Sequence, residues 1–378
     1  SLMLTGPPPK FHGTRDILRE EYGMRYRRYI ERMGAWAVAL GMGVALASCP
    51  PPALADPTEQ GPSDTHSSST TGTTATENTS TSTTTEPTSP RSPSAGSTVI
   101  GRSTLVLPGS NGYAVNTTWY FPNHDEAPIG LIFMQHGWTR TDTNLSALAQ
   151  QLADQTNSIV VSPTVSSNPS DRYYILNDPI NRAVAALFVG DRSELTASAA
   201  AAAGHPVSLP QHFVLAAHSA AGTLATAGYL VDAGAASNLK AVILFDSVAD
   251  GDATTGMAKL AGANAVPVML IAADVPVTCN DGGAATNTTI NSAPDKFVAI
   301  MLDHGSHLDA EGANTDSLAT WVCGPAPTPQ NAAAVQIISA AWINDAFTGS
   351  HTGIYAPAGT VIAVDGATAR VLAVKGLN

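Results

Sequence analysis

From residue 129 onward, continuous apolar runs of strand length alternate with helix-forming sequence. Runs that are apolar throughout, rather than at every second position, are typical of strands covered on both faces. The alternation predicts an α/β fold with a mostly parallel central sheet and helices on both faces. The predicted strands are 129–135, 158–162, 213–217, 241–245, 266–271 and 297–302, and the predicted helices are 145–153, 179–188, 191–203, 256–263 and 331–347.

Two hairpin patterns flank this alternating region. Strand-forming runs at residues 103–107 and 114–121 are separated by a Pro/Gly-rich turn, which predicts an antiparallel hairpin at the start of the domain. Residues 361–374 form a second hairpin pattern around Asp365-Gly366. We expect this second hairpin either to extend the edge of the sheet or to lie apart as a flap.

The first part of the chain lacks a globular pattern. Residues 1–23 have mixed charges and no apolar periodicity, so we expect a disordered or over-called N-terminal extension. Residues 24–55 predict a signal peptide, because arginines precede an apolar run that is too short to span a bilayer. Residues 56–98 are rich in Ser, Thr and Pro and predict a flexible linker. One globular domain is therefore expected over residues 99–378.

Cys49 closes the sequence Leu46-Ala47-Ser48-Cys49, which resembles the lipobox of bacterial lipoproteins. Lipidation of Cys49 would make the protein an exported lipoprotein of the cell envelope. An ordinary cleavage site, Ala53-Leu54-Ala55, follows directly, so free secretion is the alternative.

The chain has 3 cysteines, and processing at Cys49 leaves Cys279 and Cys323. An even number of cysteines in an oxidising compartment predicts a disulfide between these two. Two buried free thiols are the alternative, because sequence spacing alone does not establish the geometry of a bond.

Acidic residues outnumber basic ones, 30 against 18, which gives a formal net charge of −12. A surface of this sign repels phosphate backbones, so we expect no nucleic-acid partner. We also expect no metal ion and no cofactor.

Ser219 ends an apolar run and is followed at once by Ala/Leu-rich helix-forming sequence. A nucleophilic serine needs this strand-turn-helix context at the top of a parallel sheet. The motif is imperfect, because Ala217 and Ala221 stand where the consensus has glycines. A serine at such a junction is also an ordinary helix N-cap. His218 points to the opposite side of the strand by the period-two rule, which predicts a packing or pocket residue.

The carboxyl ends of later strands supply partners for Ser219 in the chain order Ser, Asp, His. We prefer His307 to His304 as the base, because a histidine on the loop after the last predicted strand can swing over the serine. The acid is either Asp246 or Asp274, each of which follows a predicted strand. Generic topology favours Asp274, the later of the two.

His136-Gly137-Trp138 follows the strand at 129–135. The backbone N–H groups of Trp138 and Ala220 are the predicted donors to a developing oxyanion. Trp138, Tyr173 and Tyr174 near the expected mouth of the site indicate an uncharged acyl substrate; packing is the alternative role for aromatic residues in such loops.

Three segments, 217–222, 245–251 and 305–309, together resemble the chlorophyllase-like and polyester-hydrolase-like branch of exported α/β-hydrolases. In chlorophyllases the serine motif reads Gly-His-Ser, and the first aspartate after the following strand is the acid. The resemblance implies an α/β-hydrolase fold with a triad of Ser219, Asp246 and His307. The polyester-hydrolase side implies Asp274 as the acid instead; we prefer Asp246.

These patterns predict a serine esterase or lipase that forms an acyl-enzyme. The expected substrate is a small-molecule ester or an ester within a lipid or polyester. The alternatives are an acyltransferase of the same fold and a non-catalytic binding protein tethered to the envelope.

Overall fold

The computed structural model describes residues 98–219, 222–249 and 251–377. The predicted extension, signal peptide, linker and Cys49 lie outside these residues, apart from residue 98 at the end of the linker. Within the described ranges, no helix has the length and apolar character needed to cross a bilayer.

The strands of the described part form one sheet. In chain order they are β1 (Val99–Val106), β2 (Ala114–Phe121), β3 (Gly130–Gln135), β4 (Ser158–Pro163), β5 (Phe213–His218), β6 (Leu239–Phe245), β7 (Val268–Ala273), β8 (Phe297–Leu302), β9 (Val361–Val364) and β10 (Ala367–Lys375). Their spatial order is β1-β2-β4-β3-β5-β6-β7-β8-β10-β9. Strands β3 to β8 are parallel to their neighbours in this group.

Antiparallel hairpins form both edges of the sheet. The first hairpin, β1-β2, joins the parallel strands through antiparallel pairing of β2 with β4. At the other edge β10 pairs antiparallel with both β8 and β9. The C-terminal hairpin therefore extends the sheet and is not a separate flap.

The helices of the described part connect and cover the strands. In chain order they are α1 (Ser146–Gln155), α2 (Asp178–Ala186), α3 (Ser193–Ala203), α4 (Thr223–Asp232), α5 (Gly251–Ala258), α6 (Ala284–Asn291), α7 (Ser317–Cys323) and α8 (Pro329–Thr348).

Two apolar cores lie on the two faces of the sheet. Successive residues of β3 alternate between them, so that Leu131 and Phe133 face one core while Ile132 and Met134 face the other. Helices α2 to α5 cover the first core, and α1 and α8 cover the second. A mostly parallel sheet in this strand order, covered on both faces, is the predicted α/β-hydrolase fold, and that prediction is confirmed.

One predicted helix is displaced and two helices were not predicted. Helix α5 spans Gly251–Ala258 rather than 256–263, and α6 and α7 had no predicted counterpart. The buried face of α6 contains Thr286 and Thr289, and the Thr289 hydroxyl donates to the carbonyl of Ala285 one turn earlier. This helix therefore lacks the apolar spacing that identifies an amphipathic helix.

Candidate active site

Ser219 lies at a sharp turn directly after β5. Its φ of 57° is in the left-handed region, which costs a non-glycine residue about 1–2 kcal/mol. The turn is held on both sides, because the Ser219 N–H donates to the Phe245 carbonyl (3.1 Å) and the Ser219 carbonyl accepts from the Val248 N–H (3.0 Å). Helix α4 has Gly222 as its N-cap, so Ser219 does not serve as an ordinary helix cap.

Two glycines near Ser219 have other side chains packed where their own Cβ would lie. A Cβ on Gly137 would lie 2.8 Å from the Ser219 Cβ, and a Cβ on Gly222 would lie 2.0 Å from the Asn181 Oδ1. Ala217, at a consensus glycine position, is completely buried in β5. Gly137, on the loop after β3, therefore lets that loop approach the Ser219 side chain, and Gly222 leaves room for the Asn181 side chain.

His307 lies on the loop after β8 and reaches Ser219. Its Nε2 is 2.9 Å from the Ser219 Oγ, and the side chain is almost completely buried. His304, the other candidate, is exposed and has a φ of 56° at the end of the strand. The structure therefore brings His307, and not His304, to the serine.

Asp246 lies on the other side of His307, directly after β6. Its Oδ2 is 2.7 Å from the His307 Nδ1, and its Oδ1 accepts from the Ala273 N–H at 3.0 Å. Burial alone raises the pKa of this carboxyl, but hydrogen bonding and charge interaction with His307, together with the Ala273 N–H, leave the pKa below its ordinary value. Asp246 is therefore ionised at neutral pH.

Asp274 follows β7 and does not contact His307. The residue is exposed, and its Oδ2 accepts from the His304 backbone N–H at 3.3 Å. Of the two predicted acids, the structure brings Asp246 to the histidine.

Asn280 is a third partner of Asp246 that the sequence did not reveal. The side chain is completely buried and donates from Nδ2 to the Asp246 Oδ2 at 3.1 Å. Its one sequence signal is its position directly after Cys279, a predicted disulfide cysteine, in a segment rich in Asn, Asp and Gly.

The loop after β3 lies against Ser219 and is ordered by His136. The buried imidazole donates from Nδ1 to the Gly137 carbonyl (2.7 Å) and accepts from the Val165 N–H at Nε2 (2.9 Å). Burial lowers the pKa of His136 to about 4, so the ring is neutral, as this pair of bonds requires. The Gly137 carbonyl and the Trp138 N–H belong to the same trans peptide group and point in opposite directions. The hydrogen bond from His136 to this carbonyl therefore also sets the direction of the Trp138 N–H.

The other residues predicted around the mouth have different positions. Trp138 is half-buried, and its indole donates to the Ser167 carbonyl at 3.3 Å. Tyr173 and Tyr174 belong to the buried core, 7% and 5% exposed, because the loop that carries them folds inward. Of the two roles considered for Tyr173 and Tyr174, the structure therefore gives them packing rather than a place at the mouth. Ala220 lies outside the described residues.

Asp309 is a second buried carboxyl near the site. It lines a small cavity together with Asp246 and His307, and its Oδ2 accepts from the Ser306 N–H at 2.8 Å. Burial, together with the nearby charge of Asp246, raises the pKa of Asp309 to about 7. The carboxyls of Asp246 and Asp309 therefore differ in pKa, and of the two only Asp246 is fully ionised at neutral pH.

Arg140, Glu311 and His218 form a buried polar group behind the site that the sequence did not reveal as a unit. Glu311 is completely buried and accepts two hydrogen bonds from the Arg140 guanidinium. His218 is also buried and lies behind His307, where its Nε2 donates to the His307 carbonyl at 2.7 Å. Burial lowers the pKa of His218 to about 3, so His218 is neutral.

Cys279 and Cys323 form a disulfide that joins the loop after β7 to the end of α7, which confirms the predicted bond. Both sulfur atoms and a ring nitrogen of His307 lie within 4.8 Å of one another. This set includes the atom types that bind zinc, but the bonded sulfurs offer no thiolate to a metal.

No family model and no curated protein matches this sequence. Among solved structures, the chain is similar to an esterase from Pyrobaculum calidifontis, with 16% identity and a TM-score of 0.38 over 54% of this chain and 75% of that one. It is also similar to a thermostable esterase from Pseudomonas putida, with 13% identity and a TM-score of 0.39 over 55% of this chain and 74% of that one. Similarity at this level does not identify the substrate of this chain.

Proposed function

We propose that this protein hydrolyses carboxylic esters as a serine esterase or lipase, with Ser219 as nucleophile, His307 as base and Asp246 as the orienting acid. The observation that carries the proposal is one continuous chain of hydrogen bonds. It runs from the Ser219 Oγ to the His307 Nε2 (2.9 Å) and from the His307 Nδ1 to the Asp246 Oδ2 (2.7 Å).

These contacts allow acyl transfer in two steps. Asp246 accepts a hydrogen bond from the Nδ1–H of His307, so the lone pair of Nε2 faces Ser219 and takes the hydroxyl proton as Oγ attacks the acyl carbon. The imidazolium then protonates the leaving alkoxide, which departs and leaves an acyl ester on Ser219. A water molecule that gives its proton to His307 attacks this ester, and the carboxylic acid leaves as Ser219 regains its proton.

The oxyanion of each tetrahedral intermediate is stabilised in this proposal by the backbone N–H groups of Trp138 and Ala220. The contact of Gly137 with Ser219, and the bond from His136 that orients the peptide between Gly137 and Trp138, support the first of these donors.

The substrate class we propose is an uncharged ester, either a small molecule or part of a lipid or polyester. Helix α7 supports an apolar substrate, because Leu318 and Trp321 on this helix are 56% and 67% exposed. The same helix ends at Cys323, whose sulfur lies within 4.8 Å of a His307 ring nitrogen.

Export to an oxidising compartment is part of the same proposal. The disulfide supports it, because such bonds persist mainly outside the cytosol. The lipobox-like sequence ending at Cys49 favours a lipid anchor in the cell envelope, with free secretion as the alternative.

Hydrolysis of a short p-nitrophenyl ester tests the activity and both predicted acids. We expect Ser219→Ala, His307→Ala and Asp246→Asn to lower kcat by about a thousandfold or more. Asp274→Asn is the matched control and is expected to change kcat less than about twofold, since Asp274 contacts only the His304 backbone.

The same assay separates the alternative functions. Product formation that accelerates when an alcohol is added, with the alcohol appearing in the new ester, would identify an acyltransferase. A folded protein that binds esters but turns over none would identify a binding protein.

A further inference from the structure

Asp246 receives two side-chain hydrogen bonds on a single oxygen atom. The His307 Nδ1 and the Asn280 Nδ2 lie 2.7 and 3.1 Å from the Asp246 Oδ2. Asn280 comes from the segment after β7, whereas Asp246 follows β6 and His307 follows β8. Three adjacent strand ends therefore meet at this one carboxylate.

The amide of Asn280 is fixed in one orientation by its remaining hydrogen bonds. Its Oδ1 accepts from the backbone N–H groups of Val277 (2.9 Å) and Gly283 (3.0 Å). Its Nδ2 also donates to the Val275 carbonyl at 3.1 Å. If the amide were reversed, its NH₂ group would face the N–H groups of Val277 and Gly283, and neither side could accept a hydrogen bond. The network therefore permits the orientation that places Nδ2 against Asp246.

The segment after β7 therefore supplies an amide where generic topology expects the acid. Asp274, the carboxylate directly after β7, is exposed and turned to the His304 backbone. Five more residues follow Asp274 before Asn280 enters the core. Beside His307, the segment after β6 thus supplies the Asp246 carboxylate. The segment after β7 supplies Asn280, which donates a hydrogen bond to that carboxylate.

The disulfide holds this segment in place. Cys279 immediately precedes Asn280 and is bonded to Cys323 at the end of α7. The backbone on the N-terminal side of Asn280 is therefore covalently fixed beside His307.

We propose that Asn280 is a positioning residue for the reaction: its amide orients the Asp246 carboxylate toward His307 and keeps that carboxylate ionised. This inference rests on the proposed hydrolase function. Asn280 touches no reacting atom and acts through Asp246. Donation to the charged form of a buried carboxylate favours that form, which offsets part of the desolvation caused by burial.

Asn280→Asp is the sharpest test, because an aspartate keeps the Oδ1 acceptor for Val277 and Gly283 but replaces the donor with a second carboxylate oxygen. We expect kcat to fall about 10- to 100-fold with little change in KM, since His307 loses its alignment. The acid limb, the low-pH side of the plot of kcat/KM against pH, should move to higher pH. An added negative charge near His307 favours the imidazolium form of this residue.

Asn287→Asp is the matched control. Asn287 is exposed on α6, seven residues after Asn280, so the same change adds the same charge at the surface. We expect kcat and the acid limb to stay at their wild-type values in this variant.

A second variant and a direct measurement cover the case in which Asn280→Asp does not fold. Asn280→Ser removes the donor without adding charge, so kcat should fall while the acid limb moves less than in the aspartate variant. The low-field proton resonance of the His307 Nδ1–H should shift in both variants and remain in place in Asn287→Asp.

The outcomes distinguish this inference from the proposed function. Wild-type protein that hydrolyses no ester would count against the hydrolase assignment. Active wild-type protein with an unchanged kcat, acid limb and Nδ1–H resonance in a folded Asn280 variant would overturn the role of Asn280.

Discussion

Arg140 and Glu311 form a buried ion pair in which both carboxylate oxygens accept a guanidinium proton, at distances of 2.8 and 2.6 Å. Arg140 lies three residues after Gly137, and Glu311 lies four residues after His307. The pair therefore ties the loop that contacts Ser219 to the loop that carries His307. Arg140 also reaches Asp316, the N-cap of α7, at 2.8 Å.

Breaking the Arg140–Glu311 pair should destabilise the protein strongly. Arg140→Met leaves the completely buried Glu311 without its cation, and we expect the free energy of unfolding to fall by about 3–5 kcal/mol. Adding Glu311→Leu should restore much of this loss. Arg370→Met is the control, because its pair with Asp303 is exposed and 3.7 Å long, and it should have little effect. Urea unfolding of the variants measures all three; equal losses for Arg140→Met and Arg370→Met would contradict this account.

Acid should destabilise the fold through His136 and His218. Burial lowers the pKa of these residues to about 4 and about 3, from an ordinary 6.5, so the unfolded chain binds protons that the folded chain does not. The contribution of each histidine to the free energy of unfolding should therefore fall by about 2 kcal/mol between neutral pH and pH 5. Asp309, whose pKa burial raises to about 7, acts in the opposite direction over this range, because its carboxyl binds a proton in the folded chain that it does not bind in the unfolded chain. Urea titrations between pH 7.5 and 5 measure the slope.

Two variants assign that slope to buried histidines. His136→Gln should reduce the loss of stability between pH 7.5 and 5 by about 2 kcal/mol, whereas His205→Gln, at an exposed position, should leave the slope unchanged. A slope that is the same in His136→Gln as in the wild type would rule out His136 as a source.

Reduction of the disulfide should lower both stability and activity. The bond closes a loop with a sequence separation of 44 residues, so its loss should cost about 2–4 kcal/mol. Activity should also fall, because Cys279 anchors the segment that carries Asn280. Urea unfolding and ester hydrolysis, each with and without dithiothreitol, measure the two effects. The double variant Cys279→Ser/Cys323→Ser should be insensitive to dithiothreitol, and a wild-type protein equally insensitive would contradict the prediction.

Gly137→Ala should impair catalysis by moving the loop away from Ser219. The new Cβ would lie 2.8 Å from the Ser219 Cβ, so the backbone that carries the Trp138 N–H must shift. We expect kcat to fall about 10- to 100-fold. Gly251→Ala is the control, because its added Cβ meets no atom within 4 Å among the described residues outside its own helix, and it should keep wild-type kinetics. Steady-state kinetics on a p-nitrophenyl ester compares them; wild-type kcat in Gly137→Ala would be inconsistent with this contact.

The strands could be predicted from the sequence because each central strand is a continuous apolar run. Strand β8 matches its predicted bounds, β3, β4, β5 and β6 differ from theirs by one or two residues at one end, and β7 is shifted by two residues at both ends. The chain order of Ser219, Asp246 and His307 could be predicted for the same reason, since the carboxyl ends of parallel strands meet at one edge of the sheet.

The residues that surround the three predicted side chains could not be predicted, because their role depends on contacts between segments that are distant in the sequence. Arg140 and Glu311 are separated by 171 residues, and Asn280 and Asp246 by 34. Neither pair has a local pattern that distinguishes it from polar residues of a solvated loop. The choice between Asp246 and Asp274 is of the same kind, because both follow a strand and only the path of the backbone places one beside His307.

The most direct test of the central proposal is covalent labelling of the folded domain with a fluorophosphonate, followed by peptide mapping. The account predicts one label per chain, on Ser219, that disappears in Ser219→Ala. Ser247→Ala is the control, since Ser247 is also buried nearby but donates only to the Ala217 carbonyl, and it should still be labelled. A folded protein that takes no label, or a label that persists in Ser219→Ala, would contradict the assignment of Ser219 as the nucleophile.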